Sequence, residues 1–155
     1  MLIREATLAD VPRCVAMGEA FLDELYPDLI HATTESLTQV CTDMIAQPHT
    51  VVFVSEQEGQ VTGMIGLIVV PHFLSGERVA VELFWWMDHD VRGQGLKLLA
   101  CGETWARAQG AIRLQVTAPA LTTIGILYER LGFRPVETAY VRDVGTSIRV
   151  SRRTA

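Results

Sequence analysis

Between Thr50 and Met87 the chain abandons helical spacing for long β-rich runs, and that change limits the fold more than any other feature. The run "TVVFVSEQEGQVTGMIGLIVVP" is β-branched and apolar on both sides of "EQEGQ". Two such runs around a short glycine-bearing turn form a hairpin, with Gly59 in the turn. After the loop "HFLSGER" comes "VAVELFWWM", a third strand that is apolar nearly throughout. That composition predicts burial on both faces. Glu82 is the charge that interrupts it.

Strands in series need helices to cover them, and the flanks supply the pattern. "LIREAT" reads as a short first strand. In "TLADVPRCVAMGEAFLDEL", Leu8, Val11, Val15, Met17 or Gly18, and Leu22 recur near helical spacing, and Asp10 with Pro12 suits the start. Pro27 breaks the pattern. "TTESLTQVCTDMIAQ" predicts a second helix, capped by Thr33 or Thr34, with Leu37, Val40, Met44 and Ile45 on its apolar face. "GLKLLACGETWARAQGA" predicts a third, with Leu96, Leu99, Trp105 and Ala106 inward and Gly110 at its end. "AIRLQVTAP" is a strand, "ALTTIGILYERLG" a helix stopped by Gly132, and "FRPVETAYVRDVGTSIRVSR" one or two strands bending near Val144 and Gly145. The expectation is one α/β (α+β) domain over residues 1–155. It has a mixed central sheet of about six to seven strands flanked by about four helices.

Bulk properties exclude several classes. An apolar content of 49% in 155 residues supports a real core and argues against disorder. No apolar run reaches the roughly 18 residues of a membrane span. "MLIREATLADVPR" carries early acids and does not read as a signal peptide. The three cysteines, Cys14, Cys41 and Cys101, are widely spaced with no CxxC pair, so reduced thiols in a cytoplasmic protein are expected, with no metal site. A net charge of −5 disfavours a large nucleic-acid footprint. The late cations Arg142, Arg149, Arg152 and Arg153 read as a solvated tail.

The chemistry concentrates in "DHDVRGQGLKLLA", between the third long strand and the third helix. The first turn of a helix carries amide N–H groups without partners at the positive end of its dipole, which suits phosphate oxygens. Gly93 and Gly95 let the backbone approach closely, Arg92 adds a permanent cation, and Gln94 and Lys97 are further donors. The same glycines also serve a purely steric turn. The dinucleotide pattern GxGxxG fails at Leu98, and the P-loop pattern is absent.

This stretch resembles the acyl-CoA-binding motif of the GNAT family of N-acetyltransferases, R/Q-x-x-G-x-G/A. Arg92 and Gly95 match its first two fixed positions, and Lys97 stands where glycine or alanine is usual. A second block, "LYERLGF", is similar to the family's late motif, and "IREATLADV" resembles its usual start. Leu121 and Ile124 depart from the asparagine and alanine common before the tyrosine. The resemblance is closest to small phage and bacterial GNAT proteins. It implies a GNAT fold in which acetyl-CoA, with no metal, lies between two splayed parallel strands, here "VAVELFWWM" and "IRLQVTAP". It places cofactor-binding groups at Trp85, Met87, Arg92, Gly93, Gln94, Gly95, Leu96 and Lys97, with backbone contacts near Trp85 and Met87.

Acetyl transfer needs a neutral amine, a donor for the oxyanion and a proton for the leaving thiolate. Glu82, desolvated in an apolar strand, is the expected base. Tyr128 matches the family's general-acid tyrosine. A backbone N–H near Met87 would polarise the carbonyl. His72 and His89 read as loop and turn residues, His31 and His49 show no partner in sequence, and Cys101 reads as helix packing. The expected function is N-acetylation of a primary amine by direct attack. The alternatives are a GNAT-fold acyl-CoA sensor or interaction module without efficient transfer, and modification of an amine-bearing nucleobase. A homodimer through the C-terminal strands is also expected.

Overall fold

The computed structural model describes residues 1–120, 122–142 and 144. The chain divides into two compact units, Met1–Pro119 and Ala120–Ala155. The first holds a five-stranded sheet whose strands lie side by side in chain order. These are β1 (Leu2–Glu5), β2 (Thr50–Gln57), β3 (Gln60–Pro71), β4 (Arg78–Met87) and β5 (Arg113–Gln115). The first four pair antiparallel, and β5 joins β4 in parallel. The β2–β3 turn is the expected hairpin. Glu58 and Gly59 both take positive φ, +50° and +79°, the mirror-image turn that matches strand twist.

Helices α1 (Val11–Leu25), α2 (Thr34–Ala46) and α3 (Leu96–Ala108) cover this sheet. Strand residues alternate between faces, so Met64 and Leu67 serve opposite sides. On one side Cys14, Val15, Met17, Cys41 and Met44 pack with Val52, Val54, Met64 and Trp86. On the other, Leu67 lies against Gly102 of α3, and Ala106 packs with Val69 and Ala80. Thr33 is the cap of α2, its hydroxyl accepting from the Ser36 amide at 3.1 Å. Leu96 is 41% exposed, not inward as its spacing suggested. The inward face of α3 is Leu98, Leu99, Gly102 and Ala106.

β4 does not run as an unbroken buried strand. Gly66 opposes Phe84 while the next residue, Leu67, opposes Glu82. Leu83 is therefore an extra residue, a bulge, and it is 47% exposed. The bulge resets the pleat. Ala80 packs with Ala106 of α3, while Trp85 and Met87 lie under Gly95 at the N-cap of the same helix. An odd spacing of five could not otherwise keep them on one face.

The second unit carries α4 (Ile124–Arg130), shorter than the pattern suggested. Its end is a Schellman motif. The Phe133 amide donates to the Tyr128 carbonyl and the Gly132 amide to the Glu129 carbonyl, both at 3.0 Å. Gly132 takes φ +90°, which favours glycine. The expected six to seven strands are thus corrected to five among the described residues. Residues 133–142 form no strand: Pro135 lacks an amide donor, and Val136, Tyr140 and Val141 are 79%, 93% and 71% exposed, so no alternating buried face exists. The remaining C-terminal strand expectation, Leu121 and Arg149–Arg153 lie outside the described residues.

One polar cluster ties β1 to β2 and to the start of α1. Asp10, 8% exposed, accepts from both Arg4 Nη atoms at 2.8 and 2.9 Å and from the Thr7 amide at 2.7 Å. Arg4 Nε also reaches Glu56 on β2 at 3.0 Å. The Arg4 hydrogen bonds hold the Asp10 carboxyl far below its usual range. Asp10→Asn is expected to lower stability at pH 7 by about 2–3 kcal/mol, read by urea unfolding. Because the folded carboxyl is depressed, the contribution is full above its ordinary range and is lost as pH falls. The variant and the parent should therefore converge in acid.

Candidate active site

The two parallel strands part company early. β4 pairs with β5 only from Val79–Arg113 to Val81–Gln115. β4 then continues to Met87 while β5 stops at Gln115. From Leu83 to Met87 the edge of β4 that would face β5 has no strand partner among the described residues. Unpaired ladder groups are costly when buried, and an extended ligand with amide groups can satisfy them.

Glu82 stands where the strands diverge. It is 7% exposed, and its Oε2 accepts from the Thr117 amide just beyond β5, at 3.1 Å. The side chain thus takes one hydrogen bond that the missing ladder would have made. Burial pushes its carboxyl up to about 7, and the Thr117 hydrogen bond opposes that rise. Such a group exchanges its proton near neutral pH, as a general base must. The Glu82 charge and burial together raise the Tyr26 hydroxyl at the end of α1, burial being the larger cause.

At the far end of β4 the chain makes a short 3-10 turn (His89–Val91) and reaches the glycines before α3. Gly93 takes φ +92°, a conformation side-chain-bearing residues rarely adopt. Gly95 is required for a different reason. A Cβ there would lie 2.9 Å from Trp85 Nε1 and 3.1 Å from Met87 Cγ. The helix start therefore lies directly on the strand's end. The amides of Gly95, Leu96 and Lys97 meet no backbone carbonyl among the described residues, an arrangement that suits an anion. Lys97 is exposed, and its backbone donates regardless of its side chain. These groups suit the diphosphate and amide arm of CoA.

The structure brings Glu82, Trp85, Met87 and the residues from Arg92 to Lys97 onto one strand and the turn that follows it. Arg92 has a protein partner: its Nη2 contacts both Glu24 oxygens at 2.8 and 2.7 Å, and its Cζ stands 5.2 Å from the Trp86 ring centroid. His89 Nε2 reaches the same Glu24 at 3.3 Å. Gln94 Oε1 accepts from Gln57 at 2.9 Å. Arg13 pairs with Asp88, whose Oδ1 accepts from Trp86 Nε1 at 3.3 Å. His72 closes its own loop, accepting from the Leu74 amide at 3.4 Å and stacking on Phe73. Tyr128 lies in the second unit, 6% exposed, its ring 5.7 Å from that of Phe133.

Sequence reasoning missed Glu24, Thr117 and Tyr26. Glu24 had one signal. It is an acid in the last turn of α1, next to the negative end of the helix dipole, where an acid needs a cation to be stable. A cavity of about 300 Å³ beside α1, lined by Glu19, Leu22, Asp23, Pro27, Ile30 and His31 among others, had none.

Against known proteins, the model of the Acetyltransferase (GNAT) family matches residues 16–133. The chain belongs to the GNAT acetyltransferase family. Solved GNAT-like structures agree on the fold. A ribosomal-protein-alanine N-acetyltransferase from Brucella melitensis superposes with a TM-score of 0.71 at 16% identity, covering 92% of this chain and 99% of that one. An aminoglycoside antibiotic 6'-N-acetyltransferase from Acinetobacter haemolyticus gives 0.74 at 16%, covering 96% and 99%. A predicted acetyltransferase from Clostridium acetobutylicum, solved with acetyl-CoA, gives 0.75 at 16%, covering 92% and 96%. No curated protein sequence matches this one. The five-stranded sheet with four helices is thus a GNAT fold.

Two outcomes follow from this geometry. Gly95→Ala is expected to cost about 1–3 kcal/mol by overpacking against Trp85 and Met87, measured by urea unfolding, and to weaken CoA binding in calorimetry. For Glu82, the folded pKa of about 7 lies above the ordinary 4.5. Its contribution to stability is full below the ordinary value and is lost as pH rises through 7. Glu82→Gln should therefore gain about 3 kcal/mol relative to the parent between pH 4.5 and 8, read from paired denaturation curves.

Proposed function

We propose that the protein is an acetyl-CoA-dependent N-acetyltransferase, cytoplasmic, in which residues 1–155 act as one domain on a primary amine by direct attack. The observation that carries the reading is Glu82, a buried carboxyl with a pKa near neutrality at the point where β4 leaves β5. Acetyl-CoA supplies an activated thioester when bound. The free edge of β4 near Trp85 and Met87 orients its amide arm, and the amides of Gly95, Leu96 and Lys97 bind its diphosphate, with Gly93 and Gln94 shaping the turn. Arg92 holds the turn through Glu24 and offers its remaining N–H groups. Glu82 takes a proton from the incoming ammonium, because only the neutral amine has a lone pair. The Met87 amide stabilises the oxyanion. Tyr128 gives the leaving thiolate its proton. The wide separation between relatives that act on an antibiotic and on a protein leaves the choice of amine to the loops, not the fold.

The salt bridge from Arg92 to Glu24 and the lysine at position 97 favour the second reading, an acyl-CoA-binding module with little turnover. Turnover separates the two. Thiol release from acetyl-CoA with a panel of primary amines should rise with pH through an apparent pKa near 7. Glu82→Gln should lose about 10²-fold or more in kcat/KM and lose that pH step. Tyr128→Phe should lower kcat with CoA affinity intact. CoA binding without amine-dependent thiol release across the panel would support the module instead.

A further inference from the structure

α1 and α2 pack antiparallel, and two contacts fix their register. Thr34 Oγ1 donates to Glu19 Oε1 at 2.7 Å, and a Cβ on Gly18 would lie 3.7 Å from Leu37 Cδ2. One helical turn back along α1 from Gly18 is Cys14. One turn forward along α2 from Leu37 is Cys41. The register therefore sets these residues opposite each other, since positions four apart share a helix face. Both belong to the same apolar cluster, at 3% and 7% exposure, and both are free thiols. The interaction of the two thiols, together with burial, raises that of Cys14, and the same interaction lowers that of Cys41. The proposed acyl transfer uses neither. Their separation along the chain hides the pairing in the sequence, where no CxxC motif exists.

We propose that Cys14 and Cys41 form a redox modification site, at which a peroxide converts the facing thiols into a disulfide that ties α1 to α2. Cys41, as thiolate, attacks the peroxide O–O bond and becomes a sulfenic acid, releasing hydroxide. The Cys14 sulfur then attacks the sulfenic sulfur, the S–O bond breaks, and the two thiol protons leave in water. Two thiols and one hydrogen peroxide give one disulfide and two waters. Burial makes the first step wait on local opening of the helix pair, so the reaction is slower than oxidation of an exposed thiol. The bond would fix the two helices whose connecting loop lines the cavity of Glu19, Asp23, Ile30 and His31.

The test uses the full chain carrying Cys101→Ser, which removes the remaining thiol. The folded protein is incubated with hydrogen peroxide, denatured, alkylated and weighed. The expected product is a monomer lighter by two hydrogen atoms with neither cysteine alkylated. Digestion should give one cross-linked peptide pair joining Cys14 and Cys41, and dithiothreitol should restore both thiols. A second variant, Cys14→Ser with Cys101→Ser, should keep the helical circular dichroism and instead trap a dimedone adduct on Cys41. Full alkylation of both cysteines after peroxide, sulfinic acid without cross-link, or linkage between two chains would each overturn the proposal. Thiol counts and masses do not depend on acyl transfer, so the result stands apart from the enzymatic reading.

Discussion

The parting of β4 from β5 is the constraint around which the first unit is arranged. A parallel pair that stays zipped would bury its amides in a ladder and leave nothing for a ligand. Here pairing stops after three residue pairs, and two devices keep it stopped. The Leu83 bulge bends and rephases β4, so that Trp85 and Met87 turn under the start of α3. The Glu82 carboxylate reaches across to the Thr117 amide and holds the second backbone at the length of a side chain. A carboxylate in this place costs stability, and functional sites are where folds retain such groups. The same desolvation that makes Glu82 expensive moves its proton affinity up to near neutrality.

Much of this was legible in the residues. The hairpin followed from β-branched runs around Gly59, the capped α2 from Thr33, and the tight turn before α3 from Gly93 and Gly95. "LYERLGF" was read as a family block, and its physical content is a Schellman end. Gly132 turns left-handed so that Phe133 folds back on Tyr128. What stayed illegible is non-local. The bulge at Leu83 depends on which residues of β3 oppose it, and nothing in "VAVELFWWM" marks an extra position. The three-pair length of β5 is set by its neighbour, not by "AIRLQVTAP". The Glu24–Arg92 pair joins residues 68 positions apart, and only an acid oddly placed at a helix end hinted at it.

The C-terminal segment shows the opposite error. The run "FRPVETAYVRDV" was expected to be a strand, and Val136, Tyr140 and Val141 are good strand formers. Propensity in a sheet means packing against neighbours on a half-buried surface. Those side chains are exposed, so the pattern has no surface to pack on and the strand does not form among residues 133–142.

Glu24 binds both Arg92 and His89, and it does so from the last turn of α1. The helix that walls the cavity near Asp23 is thereby fastened to the glycine turn before α3. A displacement of either one is then felt by the other through the same ionic contacts. Linkage makes any such coupling mutual: if a guest in the cavity tilts α1 and loosens Arg92, the anion's affinity changes by the factor that the anion imposes on the guest. The two ends of any such coupling meet in one glutamate, which holds Arg92 and His89 from the end of α1.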